Sequence, residues 1–522
     1  MDNSQKAIPD LESLPLVQLE PTGVPQLDLV LGGGIPQGAL SIILGPPGSG
    51  KTTLASQIAF ASAQRGQRVI ILTALSEPTT KLLSHLSAYH FYAASLIGTS
   101  VQIFSLQQFL PQGLAATSQE IVAAVRQTKA NLVVLDGFQS IRSLEPNLDA
   151  TRRLLYDLGL RLSLHGTTTL ITTESDPHDP ALFPEMTTGD VLIGLYFKIV
   201  GVRTFRNLEV IKVRGRAPLS GLHSLTLSDS GVTVFPRLES RVKQEEPTNL
   251  TAPVSRIQFS GRADFGLSEL DTLLGGGLTR GTSTLLTGSL GMGKTLLALQ
   301  FALNGVHNSE PTLFLSFRET SRQLIQKADD FALGEQLRAA LAPDGGLTLQ
   351  RWEPVELDPD QIALRLITAL EQTHAQRVVV DSIAEIERAV EESNGKERTS
   401  NYLSALLSVL RERSVTLLAI KETPRNVTTQ FDFSSDALAV LAENLIFLQQ
   451  IAYRGKLHRV LSVLKMRFSS HDYMLREFQI KPPEGLRVLT HDESGLEVIL
   501  GLIEQQGAEL LPHTLKKKST ER

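Results

Sequence analysis

Residues Gly45-Pro46-Pro47-Gly48-Ser49-Gly50-Lys51-Thr52 carry the spacing G-x-x-x-x-G-K-[ST], directly behind the apolar run 40–44 and ahead of a helical run over 51–64. Glycines at this spacing let the backbone curl around a polyphosphate with its N–H groups turned inward, and the start of the following helix favours anions. Lys51 then reaches the β- and γ-phosphates, and the Thr52 hydroxyl ligates Mg²⁺. A glycine-rich turn without chemistry is the alternative, and the strand-like run before and helix after argue against it. The pattern recurs in Gly288-Ser289-Leu290-Gly291-Met292-Gly293-Lys294-Thr295, behind the run 283–287 and ahead of a helical run 295–304. The nucleotide-binding residues are therefore Gly45, Gly48, Ser49, Gly50, Lys51, Thr52 and Thr53, and Gly288, Gly291, Met292, Gly293, Lys294, Thr295 and Leu296.

The elements that must hold these loops are written twice as well. Gly23-Val24-Pro25-Gln26-Leu27-Asp28 matches Gly266-Leu267-Ser268-Glu269-Leu270-Asp271, and both continue into three successive glycines, so the chain is an internal duplication. In the first copy the apolar runs 68–74, 131–136 and 167–174 read as buried strands alternating with helical segments. That rhythm argues for a parallel sheet covered by helices, an α/β fold. The second run ends in Asp136, the form of carboxylate that positions Mg²⁺ in loop-type nucleotide hydrolases, and the run 377–381 ends likewise in Asp381. With Thr52 and Thr295 these two residues make the metal-ligand set.

Farther on, the runs 191–200 and 207–213 read as an antiparallel hairpin across 201–206, followed by a small hairpin over 224–235. Lys212 and Arg214 stand two apart, as do Lys465 and Arg467 at the end of the hairpin 444–464 of the second copy, so each pair projects on one face. A solvated edge strand is the ordinary explanation of such cations, and their recurrence weighs against it.

A length of 522 residues exceeds one hydrophobic core, and the duplication selects two domains. The boundaries are a flexible segment 1–20, a first domain 21–237, a linker 238–256, a second domain 257–490 and a tail 491–522 with an amphipathic run over 495–504. A formal net charge of −5 supplies no global basic field, which argues against nucleic acid and anionic lipid as partners. The chain has no cysteine, so disulfides, thiolate metal sites and cysteine nucleophiles are excluded. There is no run of the roughly 20 apolar residues that a membrane helix requires, nor a basic-then-apolar leader, and the expected location is the cytoplasm.

Taken together, the tandem loops, the repeated G-[VL]-x-x-L-D motif and the K-x-R ending of each half resemble the KaiC family of RecA-type ATPases, over roughly residues 22–489. The resemblance implies two tandem RecA-like P-loop domains, each with an added C-terminal β-hairpin, binding ATP and Mg²⁺. It also implies a double-ring homo-hexamer with ATP between subunits, in which Lys212, Arg214, Lys465 and Arg467 act in trans on the neighbour's γ-phosphate. The implied function is slow ATP hydrolysis that controls an unidentified regulatory or signalling protein through nucleotide state.

Two departures qualify this. Clock members of the family carry a Glu-Glu pair after the strand that follows the loop helix; here stand Ser76-Glu77 and Arg318-Glu319, leaving Glu77 and Glu319 as the catalytic carboxylates. Where clock members place adjacent Ser and Thr as autophosphorylation sites, this chain reads Leu438-Ala439-Val440-Leu441. The nearest hydroxyls, Ser434 and Ser435, would lie over about 12 Å from Ala439 in an extended segment. Serine/threonine kinase activity of the clock type is thus not expected. Three alternatives stay open: an autokinase using Thr428, Thr429, Ser434 or Ser435, a RecA-type DNA-handling ATPase, and a non-hydrolysing ATP-bound scaffold.

Overall fold

Apolar residues on alternate sides of short β-branched strands dictate a sheet buried on both faces. The computed structural model describes residues 18–73, 78–110, 113–144, 147–176, 178, 183–242, 261–423, 433–453, 456–472 and 474–490. The chain divides into two compact units between Arg241 and Val242.

In the first unit nine strands make one sheet, in the order Gly231–Phe235, His223–Ser228, Arg203–Val213, Val191–Val200, Leu40–Leu44, Thr168–Thr173, Leu132–Leu135, Val69–Thr73, Val101–Ser105. From Val191–Val200 onward the strands run parallel. The remaining strands add antiparallel at one side. Ile43, Val69, Ile71 and Val134 enter one core, and Ile42, Leu44, Ile70, Leu72 and Val133 enter the other, so successive residues feed opposite faces. Each fully buried side chain of this kind contributes about 1.5–3 kcal/mol.

The second unit repeats the arrangement, in the order Leu347–Arg351, Thr312–Ser316, Arg377–Asp381, Thr416–Glu422, Ser283–Gly288, Asn444–Tyr453, Lys456–Met466, Arg476–Lys481, Gly485–Val488. The loop strand is central in each sheet, and its helix, Lys51–Gln64 or Lys294–His307, packs beneath it. Among the described residues no helix is long and apolar enough to cross a membrane.

The repeated L-D motif serves this packing. Asp28 accepts from the Thr22 backbone N–H at 2.9 Å and its hydroxyl at 2.7 Å, and Asp271 accepts from the N–H groups of Phe265 and Leu267 at 2.8 and 3.0 Å. A Cβ on Gly23 or Gly266 would press on Ala61 or Asn304 of the loop helix, so glycine lets the preceding turn dock there.

Several expectations shift in detail. The edge strands Val101–Ser105 and Leu347–Arg351 have no counterpart in the sequence reading, and the first hairpin turns tightly before Arg203 instead of over 201–206. The hairpin 224–235 is part of the main sheet, with His223 opposite Leu208. Pro482-Pro483 turns Arg476–Lys481 into Gly485–Val488, the last strand among the described residues. Leu238–Arg241 form a short 3-10 turn whose Leu238 is buried. The segment 1–17, most of 238–256, and the tail 491–522 with its amphipathic run lie outside the described residues.

Candidate nucleotide site

The two loops adopt one conformation. Gly48 and Gly291 both have φ of 76°, in the left-handed region, and Gly50 and Gly293 cap their helices at φ of 102° and 82°. Gly45 and Gly288 lie so close to the next strand that a Cβ would run into the carbonyl of Leu195 or Leu448.

Lys51 donates to the carbonyls of Gly45 and Pro46, each at 2.9 Å, and Lys294 donates to Gly288 and Ser289 at 2.9 and 2.8 Å. Each ammonium is thereby laid across its own loop. Burial pushes both below the ordinary lysine value, opposed most by Glu174 at Lys51 and by Glu422 at Lys294. Thr52 Oγ1 donates to the Asp136 carboxylate at 2.9 Å, and Thr295 Oγ1 to Asp381 at 2.7 Å. Thr172 also donates to Asp136, at 2.5 Å, while accepting from the Gly137 N–H, which fixes that carboxylate at the strand end. Burial first, and Glu319 next among the raising charges, push the Asp381 carboxyl up, against the Thr295 hydrogen bond. One hydroxyl and one carboxylate per loop fit Mg²⁺, which keeps waters and phosphate oxygens as its other ligands.

The remaining loop residues divide by burial. Met292 and Leu296 are core side chains, so only their backbone can face a ligand. Ser49 is fully buried and its hydroxyl has no hydrogen-bond partner among the described residues. Thr52 and Thr53 open onto a cleft of 740 Å³ lined also by His85, Tyr89, Leu227 and Asp229.

Of the two carboxylates expected to be catalytic, Glu77 lies outside the described residues, as does Ser76. Glu319 follows the strand Thr312–Ser316, its backbone N–H bonded to Ser316 Oγ at 3.1 Å. Its Oε1 pairs with Lys327 at 2.5 Å, and its buried Oε2 has no partner among the described residues. Arg318 turns away from it, toward Glu385 and Glu422.

Each K-x-R pair sits at a β-bulge. Leu192 faces Lys212 but Ile193 faces Val210, and Leu445 faces Lys465 but Ile446 faces Val463. The extra residue re-aims the cations at the strand end. Lys212 donates to the Gly189 carbonyl at 2.6 Å, and Lys465 to those of Ala439 and Val440 at 3.1 and 2.9 Å. Arg214 pairs with Asp190 at 3.0 Å, and both Arg214 and Arg467 are exposed.

Ser434 and Ser435 are not separated from Ala439 by the extended segment expected from the sequence. Asp436 caps a helix Ala437–Leu441, accepting from Ala439 N at 3.0 Å, and Ser434-Ser435 form the turn before it. A helix rises about 1.5 Å per residue, so the extended-chain span of over 12 Å does not apply. Thr428 and Thr429 lie outside the described residues.

Glu422, at the end of the strand beside the second loop, and Glu174, one residue past its counterpart, were not among the expected site residues. A carboxylate at the end of that strand in both copies, in Thr173-Glu174-Ser175 and Lys421-Glu422-Thr423, was the available signal.

The model of the family described as "ATPase: KaiC" matches residues 20–239 and 263–493. The chain is similar to the circadian clock oscillator protein KaiC of Parathermosynechococcus lividus, 25% identical over 496 residues that cover 92% of this chain and 86% of the relative. It is similar also to the circadian clock protein KaiC3 of Synechocystis sp. (strain ATCC 27184 / PCC 6803 / Kazusa), at 25% over 484 residues, 90% of this chain and 92% of the relative. A third relative, the KaiC of Thermosynechococcus vestitus, is 26% identical over 489 residues, 90% of this chain and 89% of that protein. With two matched repeats, two nine-stranded sheets and a phosphate-type loop at the centre of each, the chain belongs to the KaiC ATPase family, as a tandem of RecA-like P-loop domains.

Proposed function

We propose that this protein binds Mg-ATP at both loops, hydrolyses it slowly, assembles as a double-ring hexamer in the cytoplasm and controls a protein partner through its nucleotide state. The observation that carries the reading is the same hydroxyl–carboxylate pair behind each loop, Thr52 with Asp136 and Thr295 with Asp381. A bound Mg²⁺ would be held there and would supply charge neutralisation at the phosphates.

The chain's own groups do the rest. Backbone N–H groups of each loop cradle the phosphates, and Lys51 or Lys294 exchanges its carbonyl partners for phosphate oxygens. In the second site Glu319 orients the attacking water, a role supported by its buried, unpartnered Oε2. Glu77 has that role in the first site. The K-x-R cations stabilise charge on the γ-phosphate of a neighbouring subunit. Regulation without clock-type phosphotransfer follows from Ala439 and Val440, which have no hydroxyl, and from Arg318, which accepts no proton.

Phosphate release from Mg-ATP tests the reading. The full chain should turn over, and the Lys51→Ala/Lys294→Ala double variant should fall to background. Equal rates in the two would overturn it.

A further inference from the structure

Arg318 stands where three elements bordering the second loop converge. It follows the strand Thr312–Ser316, whose last residue pairs with Asp381. Its Nη1 donates to Glu422 Oε2 at 3.1 Å, and its Nε and Nη2 donate to Glu385 Oε1 at 3.2 and 3.1 Å. Glu422 lies directly opposite Gly288, the first glycine of the loop, and Glu385 stands in the first turn of the helix Ile383–Asn394, just after Asp381. The guanidinium is thus tethered to the phosphate edge from both sides.

A purely structural ion pair accounts poorly for its exposure. The Arg318 side chain is 48% exposed, while Glu385 is 5% exposed and has a second cation, Arg388, on its other oxygen at 3.1 Å. Glu385 therefore stays paired if Arg318 swings away. The first unit has no such arrangement among its described residues: Arg142, on the helix after Asp136, pairs with the buried Glu185.

We propose that Arg318 is the group by which the second site distinguishes a nucleoside triphosphate from a diphosphate, exchanging its bonds to Glu385 and Glu422 for the γ-phosphate. The inference rests on the ATP-binding reading above. A guanidinium fork matches phosphate geometry, and Arg388 still neutralises Glu385 once Arg318 leaves, so the exchange costs little and is favoured when that phosphate is present. The second site thereby couples the presence of the γ-phosphate to the loss of the Arg318 bridge between Glu385, which keeps Arg388, and Glu422, and so to the helix Ile383–Asn394 and the strand Thr416–Glu422.

Calorimetric titration of the full chain carrying Lys51→Ala, with ATPγS and separately with ADP in the presence of Mg²⁺, tests this. Adding Arg318→Ala should weaken ATPγS at least about tenfold and ADP less than about twofold, with Arg318→Lys between, as expected for a lost charge-assisted contact. Glu385→Gln with Glu422→Gln, which weakens the competing partners at unchanged size, should raise the preference for ATPγS, and this arm decides the matter if Arg318→Ala does not fold. Equal losses for the two nucleotides, or a ratio indifferent to both sets of changes, would overturn the inference. If the Lys51→Ala chain binds nucleotide and Lys294→Ala abolishes that binding, such a result sinks the role of Arg318 alone. No nucleotide binding in the Lys51→Ala chain would sink the ATP-site reading with it.

Discussion

Lys465 donates from Nζ to the carbonyl of Val440 at 2.9 Å, which ties the first cation of the second K-x-R pair to the carboxyl end of the helix Ala437–Leu441 in its own chain. Lys212 does the same at Gly189, just past the helix Pro184–Thr188. Cations at helix C-termini are electrostatically favoured, so the lysines place the bulged strand ends while the arginines project. The arginines differ between the units. Asp190 accepts from Leu40 N at 3.0 Å and holds Arg214, whereas its counterpart Glu443 accepts from Ser283 N at 2.8 Å and is occupied by Arg411.

Trans action predicts a split between binding and turnover. Lys212→Ala with Arg214→Ala should cut first-unit hydrolysis at least about tenfold and change ATP affinity less than about threefold. Mixing that variant with Glu77→Gln subunits, both carrying Lys294→Ala, should restore activity where a sound finger meets a sound glutamate. No recovery despite verified subunit exchange argues for action in cis.

Gly288→Ala should abolish nucleotide binding in the second unit and lower its stability by about 1–3 kcal/mol, because the added Cβ collides with the Leu448 carbonyl and forces the loop strand from its neighbour. Thermal unfolding with and without ATP reads both effects. An unchanged ATP-induced stabilisation would contradict it.

Acid stability should depend on Glu443. Burial by itself raises this carboxyl, but hydrogen bonds from the Ser283 hydroxyl and N–H and from Arg411 outweigh it, and the net pKa lies below the ordinary 4.5. A lowered folded value means stabilisation that is present above the unfolded value and lost as pH falls through the folded one. Glu443→Gln should cost about 1–3 kcal/mol at neutral pH, with the gap to wild type closing below about pH 4.5. A gap that stays constant down to strongly acid pH would contradict this.

Clock-type phosphotransfer should be absent. The helix Ala437–Leu441 brings Ser434 and Ser435 nearer than an extended chain would, but Ala439 and Val440 offer no nucleophile, and Arg318, paired with two carboxylates, offers no base. Labelled ATP with Mg²⁺ and peptide mapping should find no stoichiometric phosphate over residues 427–441. Phosphate on Ser434 or Ser435 at one per chain would favour the autokinase alternative.

The loops and central strands were legible because their signals are local: a glycine spacing with Lys and Thr, and continuous β-branched runs such as Val69–Thr73 that are buried on both faces. Val101–Ser105 and Leu347–Arg351 were not, since most of their side chains are only partly buried and the apolar run is diluted. The bulges at Lys212 and Lys465 depend on a register between strands that no single run encodes. Arg318 was legible as a departure from a carboxylate pair, but Glu385 and Glu422, far along the chain, reveal themselves as its partners only once the sheet brings the strand ends together.

Counting nucleotide tests the central claim most directly. Titrating the full chain with ATPγS and Mg²⁺ by calorimetry should give two sites per chain, and Lys51→Ala or Lys294→Ala alone should each leave one, because each loop is closed by its own lysine, hydroxyl and carboxylate. One site in the unaltered chain, or two that persist in either variant, would contradict the account.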